Sequence, residues 1–181
     1  INALVGLLGF ALATGLLYGR FSKPKAKILF SKNAIISPFK NGNNALMFRI
    51  VNTRSNILME LEATVLFMRF VKDETGHLRR KYFSLKLQTS KINFFPMNWT
   101  IVHEIDEYSH LHNVSIEELK ENCGEVLILI KGFDDTFSQV VHSRFSYCAE
   151  EIVTNKTFDR IYEIDENGDI MVDIDKIHSY S

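Results

Sequence analysis

Cysteine is scarce in these 181 residues: only Cys123 and Cys148 occur, far apart and in no CxxC pattern. That excludes a disulfide framework and a cysteine-built zinc site, and it fits a reducing compartment. An excess of charge is missing too. Lys and Arg number 21 against 22 Asp and Glu, for a formal net charge of −1, which gives no whole-chain case for a nucleic-acid partner. No GxSxG, P-loop or GxGxxG occurs, so catalysis has no support and no cofactor is expected. Internal repeats and low-complexity segments are absent as well. The sequons at Asn98, Asn113 and Asn155 matter only in a secreted protein and read as chance. The first residue is Ile1 rather than Met, so the sequence is expected to start inside a longer product.

The hydrophobic content that is present is unevenly placed. Residues 1–19 carry no charge, and only Asn2, Thr14 and the Tyr18 hydroxyl are polar. Eighteen helical residues span about 27 Å, close to the roughly 30 Å hydrocarbon core of a bilayer. Nine of the first eighteen are Leu, Ile, Val or Phe, which favours insertion by roughly 3–5 kcal/mol. A signal peptide would need a basic segment before the apolar run. A buried soluble helix is the other reading, but a dense basic flank follows here. Arg20, Lys23, Lys25 and Lys27 place four cations in eight residues without an acid. The expectation is a transmembrane helix over 1–19 and a basic linker over 20–27, with the C-terminal side in the cytoplasm. The same cations set topology or bind anionic lipid, and the residues alone leave both readings open. Gly6, Gly9, Gly15 and Gly19 permit close helix approach or bending. Phe10, Thr14 and Tyr18 follow at i, i+4 and i+8 and share one face, which favours packing on a neighbour over lining a pore.

From Ile28 the pattern changes to strands. Residues 28–36 and 45–51 are β-rich around the turn-formers 41–44. Residues 57–71 alternate, with Ile57, Met59, Leu61, Ala63, Val65 and Phe67 on one face and Glu60, Glu62 and Thr64 on the other. Asp73 to Gly76 reads as a turn, and 80–88 as the returning strand. Phe94, Phe95 and Pro96 precede a short strand over 99–103. Ser115 with Glu118 three residues on marks a helix start that Gly124 ends. Strands are expected at 125–130 and 137–147, and a hairpin around Glu166, Asn167 and Gly168. Many strands with one short helix predict a mainly β domain over 28–181, an antiparallel β-sandwich.

Two clusters invite a metal. His103, Glu104, Asp106, Glu107, His110 and His112 lack a spacing such as HExxH and read as polar surface at a strand end. Asp165, Asn167 and Asp169 open like a calcium loop, but the glycine stands fourth and no glutamate closes it at twelve. No metal site is expected.

Several blocks in register resemble the inward-rectifier potassium channels. They are Lys23-Pro24-Lys25, the run from Ile28 to Ile36, the run from Leu46 to Arg54, His103-Glu104-Ile105-Asp106-Glu107, the stretch from Gly132 to Gln139, and Ser146-Tyr147 before Glu151-Ile152. Their spacing is similar to that of the bacterial branch. The resemblance implies a homotetramer in the bacterial inner membrane, with inner helices around a conduction path for K+ that the cytoplasmic domains, each an immunoglobulin-like β-sandwich, extend. It turns the face of Phe10, Thr14 and Tyr18 to the pore, with Tyr18 at the helix-bundle crossing and Gly6 and Gly15 as hinges. It assigns Arg20, Lys23, Lys25 and Lys27 to phosphoinositide or other anionic headgroups. Arg49 and Arg54 fall in the FR…NxR block, where structural or subunit-contact roles are implied. Gly132, Phe133 and Asp134 fall on a cytoplasmic loop constricting the axial path.

The departures from the family matter too. No outer helix and no TxGYG-like filter is present, and potassium selectivity comes from filter carbonyls. Lys131 stands where many relatives carry glutamate, and Phe10 is apolar where strong rectifiers place an acid; both argue against tight internal cation block. His110 replaces a usual proline, leaving its turn open. The rival reading is a single-pass anchored β-sandwich that binds a protein partner and conducts nothing.

Overall fold

The computed structural model describes residues 2–21, 27–54, 56–95, 97–164, 167–168 and 170–181. Helix α1 (Asn2–Phe21) opens the chain. The strands that follow are β1 (Ile28–Phe30), β2 (Ala34–Pro38), β3 (Asn44–Asn52), β4 (Leu58–Lys72), β5 (Leu78–Ser84), β6 (Lys91–Phe94) and β7 (Asn98–Ile105). After the short helix α2 (Ile116–Glu121) come β8 (Glu125–Asp134), β9 (Gln139–Cys148), β10 (Ile152–Thr154), β11 (Tyr162–Ile164) and β12 (Ile170–Val172).

Two sheets form the sandwich. In the first, β3 pairs with β7 along one edge and with β1 and β2 along the other, and β10 joins β2. In the second, β4 takes β5 and β6 on one edge and β8 on the other, and β9 completes it beyond β8. One apolar cluster lies between them, with Phe48 and Ile50 of the first sheet meeting Phe67, Val126, Ile130 and Tyr147 of the second. Each such large side chain, fully buried, contributes roughly 1.5–3 kcal/mol. The mainly β sandwich is as the sequence predicts, except that β10 runs parallel to β2, not antiparallel, and that two strands depart locally from their predicted course.

The helix at Ser115 forms as expected. Ser115 Oγ accepts the N–H of Glu118 at 3.1 Å, while the Glu118 carboxylate turns to Arg69 at 3.5 Å. The hairpin at Asn167-Gly168 also forms, joining β11 to β12, with Gly168 at φ 87°. Pro96, Asp165, Glu166 and Asp169 lie outside the described residues.

Strand β4 corrects the alternation. Leu61, Ala63, Val65 and Phe67 are buried as expected, but Ile57 is 61% exposed and Leu58 only 2%. Glu60 sits at φ 49°, and the pairing with β8 slips between Met59 and Glu62. A bulge adds one residue, and with a side-chain period of two this reverses the faces on its N-terminal side. The predicted strand over 28–36 likewise breaks at residues 31–33. There Ser31 Oγ donates to Asn33 O at 2.9 Å and accepts the Arg49 N–H at 3.1 Å.

Ser31 is also where the sheets are tied. The Tyr147 hydroxyl donates to Ser31 O at 2.7 Å and lies 3.0 Å from Ser31 Oγ, with both residues fully buried. Burial pushes the phenol well above its ordinary pKa, so it stays a donor. Replacing Tyr147 with Phe leaves a buried carbonyl without this donor and is expected to cost about 1–3 kcal/mol. Urea unfolding followed by fluorescence of Trp99, 8% exposed in the core, checks this. An unchanged midpoint would mean the tie contributes nothing.

Candidate functional site

Along α1 every described side chain from residue 2 to 19 is exposed. Residues 2–19 are long and apolar enough to cross a membrane, with none of that window buried. A soluble core helix would pack its apolar side on the domain; among the described residues nothing covers this one. Phe10 is 73% exposed and Tyr18 75%. Steps of four residues advance about 40° around the helix, so Phe10, Thr14 and Tyr18 occupy a stripe roughly 80° wide. The helix runs unbroken through Gly6 and Gly15. Arg20 closes its last turn, whereas Lys23 and Lys25 lie outside the described residues.

Lys27 is exposed, and its backbone is held. Its carbonyl accepts both the N–H of Thr53 at 3.0 Å and Thr53 Oγ1 at 2.8 Å. The block from Arg49 to Arg54 therefore anchors the end of the basic segment. Within it, Asn52 Nδ2 donates to Asn56 O at 2.8 Å, and the Arg54 N–H donates to Asn52 Oδ1 at 3.1 Å. Arg49 faces the other way. Its guanidinium donates to Asp159 O at 2.6 Å and lies 4.5 Å from the centre of the Phe158 ring, fastening the C-terminal segment to β3. Burial lowers its pKa and Asp159 opposes that shift. Arg49 thus makes contacts within its own chain, the structural side of its two implied roles.

Gly132, Phe133 and Asp134 are the last residues of β8 rather than a loop. The turn proper is residues 135–138, all exposed. Gly132 and Asp134 are buried, and Phe133 between them is half-buried on the opposite face. A Cβ on Gly132 would come within 3.2 Å of the Leu61 side chain, so the glycine is fitted to the sheet beside the β4 bulge. Asp134 accepts Asn56 Nδ2 at 2.7 Å and the Phe137 N–H at 3.3 Å. The resemblance implied a loop for this stretch, whereas its three residues are paired with β9. Asn56, its partner, carried no signal.

The histidine cluster does not assemble a metal site: no group of three or more His, Cys, Asp or Glu side chains that could hold one occurs among the described residues. His103 is buried instead, bordering a cavity of about 380 Å³ with Lys86, Gln88, Asp106 and Ser109. Its Nδ1 lies 2.7 Å from Lys86 O and its Nε2 2.8 Å from Ser109 Oγ. A carbonyl only accepts, so Nδ1 carries the proton and Nε2 accepts the Ser109 hydroxyl. His110 packs its ring 4.2 Å from that of Phe83.

Comparison with known proteins decides the family. The family described as inward rectifier potassium channel C-terminal domain matches residues 28–181. The chain belongs to the inward rectifier potassium channel family. It is 33% identical over 178 residues to the inward rectifier potassium channel Kirbac3.1 of Paramagnetospirillum magnetotacticum, covering 98% of this chain and 60% of that protein. It is 25% identical over 189 residues to the human inward rectifier potassium channel 4, covering 98% of this chain and 41% of that protein. The chain therefore spans 60% or less of the curated relatives quoted. A solved structure of the sporulation control protein Spo0M from Bacillus subtilis is similar over 72% of this chain and 49% of its own, with 10% identity and a TM-score of 0.32, too low to inform the fold.

Burial lowers the His103 pKa; the Lys86 bond, Asp106 and Glu104 oppose it, and His110 lowers it further. The unfolded chain then takes up a proton near pH 6.5 while the folded domain does not. Stability is expected to be full above about pH 7 and to fall as pH drops through 6.5 towards the lower folded value. Unfolding midpoints between pH 7.5 and 5.5 check the sign, with His103→Gln giving a flatter profile. An equally steep profile in that variant would assign the dependence elsewhere.

Proposed function

We propose that this chain is the inner helix and cytoplasmic domain of a potassium channel subunit, passing K+ passively through a fourfold assembly in a bacterial inner membrane. The match of residues 28–181 to the channel family's C-terminal domain carries this reading. An exposed apolar helix just ahead of that domain supports it, since lipid and neighbouring helices are the surroundings in which such a surface is stable. Phe10, Thr14 and Tyr18 line the path, Tyr18 narrows it near the inner end, and Gly6 and Gly15 let the helix bend. The β-domain hangs on the cytoplasmic side.

Selectivity is the work of filter carbonyls, a motif this sequence does not contain, so these residues contribute the route below the filter and its control. Conduction through that lower route needs weak binding. Lys131 is exposed and pairs in register with Glu62 across β8 and β4, opposite charges at neighbouring places on one sheet face. Such a pair offers an internal cation less hold than two carboxylates, in keeping with weak rectification. Arg20, Lys23, Lys25 and Lys27 attract anionic headgroups at the membrane surface, and movement of the cytoplasmic domain gates the path.

Rubidium uptake into vesicles holding the full-length protein tests both parts. Replacing Lys23, Lys25 and Lys27 together with Gln is expected to weaken the response to anionic lipid by about 100-fold in lipid concentration, at roughly 1 kcal/mol per cation. An unchanged lipid response removes the lipid role, and a wild-type protein that carries no rubidium removes the channel reading.

A further inference from the structure

Strands β4, β8 and β9 lie side by side, and their registers fix which side chains meet on the outward face of the second sheet. Thr64, Leu129 and Arg144 form one row across the three strands, and Leu66, Leu127 and Ser146 form the next. A sheet face turned to water is ordinarily polar. Here three leucines stand together on it, and Leu129 is 37% exposed. The two rows line an open trough of about 540 Å³. Strand spacing makes its floor about 10 Å wide across the strands, and the two-residue repeat makes it about 7 Å long. Charge collects on one side of it. Arg144 is exposed on β9, and in the preceding row Lys131 and His142, also exposed, stand directly opposite each other. Among the described residues no ion pair engages Arg144 or Lys131.

We infer that this trough is a binding site for a small organic anion, with the carboxylate or phosphate on Arg144 and a flat apolar body over Leu66, Leu127 and Leu129. A guanidinium presents a planar fork that matches either head group in two parallel bonds. A bicyclic ring has the dimensions of the floor, and covering the leucines removes apolar surface from water. The two demands act together. An inorganic anion gains the charge without the floor, and a neutral ring gains the floor without the charge. Lys131 adds attraction from the neighbouring row. His142 adds more on protonation, which for an imidazole falls between about pH 5 and 8, so acid strengthens the site. The charged groups facing His142 are Lys131 opposite, Glu62 one strand further on β4, and Arg144 two residues along β9. β9 is the sheet's edge, so no strand of this sheet lies beyond it. The site stands on the sheet alone and does not depend on conduction.

Calorimetric titration of 2-naphthoate into the full-length protein in lipid nanodiscs, with empty discs subtracted, tests the site. Saturable binding is expected, with 2-naphthol and inorganic phosphate each weaker by about tenfold or more, since each lacks one of the two contacts. Arg144→Gln is expected to weaken naphthoate by about tenfold, the effect of losing a bond between charged groups. Leu129→Ser is expected to weaken it by about fivefold through the lost apolar contact. Lowering the pH from 8 to 6 is expected to tighten binding about twofold, the scale of one exposed charge in salt, and His142→Gln to abolish that gain. The absence of saturable naphthoate binding overturns the inference, and is the result a second copy covering this face would give. Naphthol binding as tightly as naphthoate, or Arg144→Gln retaining the wild-type affinity, overturns it equally. Should Arg144→Gln fail to fold, as read by Trp99 fluorescence, Lys131→Gln supplies the charge arm: it must weaken naphthoate about twofold, and no change there is also fatal.

Discussion

The contact between Tyr147 and Ser31 is the fixed point of this domain. β9 lies at the outer edge of one sheet and Ser31 interrupts the other, and the phenol hydroxyl crosses between them within a fully buried site. Ser31 then engages Arg49 twice through the backbone, once by its own N–H to Arg49 O at 2.9 Å and once by Oγ accepting the Arg49 N–H. The Arg49 side chain leaves from the same residue to bind Asp159 and Phe158. One short chain of bonds therefore sets the sheet-to-sheet distance, the break between β1 and β2, and the seat of the C-terminal segment. Phe30, 6% exposed, stacks 4.8 Å from Phe145 beside it. In so buried a site each hydrogen bond is stronger and each missing one costs more.

Much of this was legible from the residues. The alternating and apolar runs located the strands, the Ser115 cap located α2, and Asn167-Gly168 located the last hairpin, because each is a local signal with a local cause. What failed to show was whatever depended on a partner far along the chain. The bulge at Glu60 places a non-glycine residue at positive φ, which no pattern announces; it follows from β4 serving β5, β6 and β8 at once. The parallel pairing of β10 with β2 joins residues about 118 apart in sequence, and the parallel ladder leaves no mark on a three-residue strand. Asp134, placed on a loop only through the resemblance, is interior, and its partner Asn56 lies 78 residues away. His103 looked like part of a wetted cluster, and only the approach of Lys86 O and Ser109 makes it a core residue.

The two halves of the chain solve burial differently. The sandwich covers its large apolar side chains with its own second sheet, whereas α1 covers none of its own. Backbone groups explain why a helix is the form this uncovered segment takes: in hydrocarbon every N–H and C=O must be satisfied within the segment, and an α-helix does so alone. The basic residues that follow cannot enter the same medium without a large cost, which fixes where the membrane segment stops.

The glycines of α1 sharpen that contrast. Each glycine in a helix interior costs about 1 kcal/mol against alanine, and a Cβ added at Gly6, Gly9 or Gly15 would meet nothing within 4 Å in this chain. Gly132 is the counter-example, where the Leu61 side chain at 3.2 Å leaves no room and the glycine has an internal cause. For the helix no cause lies among the described residues. Small residues let helix backbones approach closely in lipid, where dispersion rather than expulsion of water holds helices together, and they let a helix bend where a neighbour or a moving domain requires it. Either use needs a second helix beside the first or a load applied at its end. The same three positions that weaken α1 as an isolated helix thus fit a helix with a neighbour beyond the described residues, and the Lys27 carbonyl held by Thr53 is where α1's flank meets the β-domain.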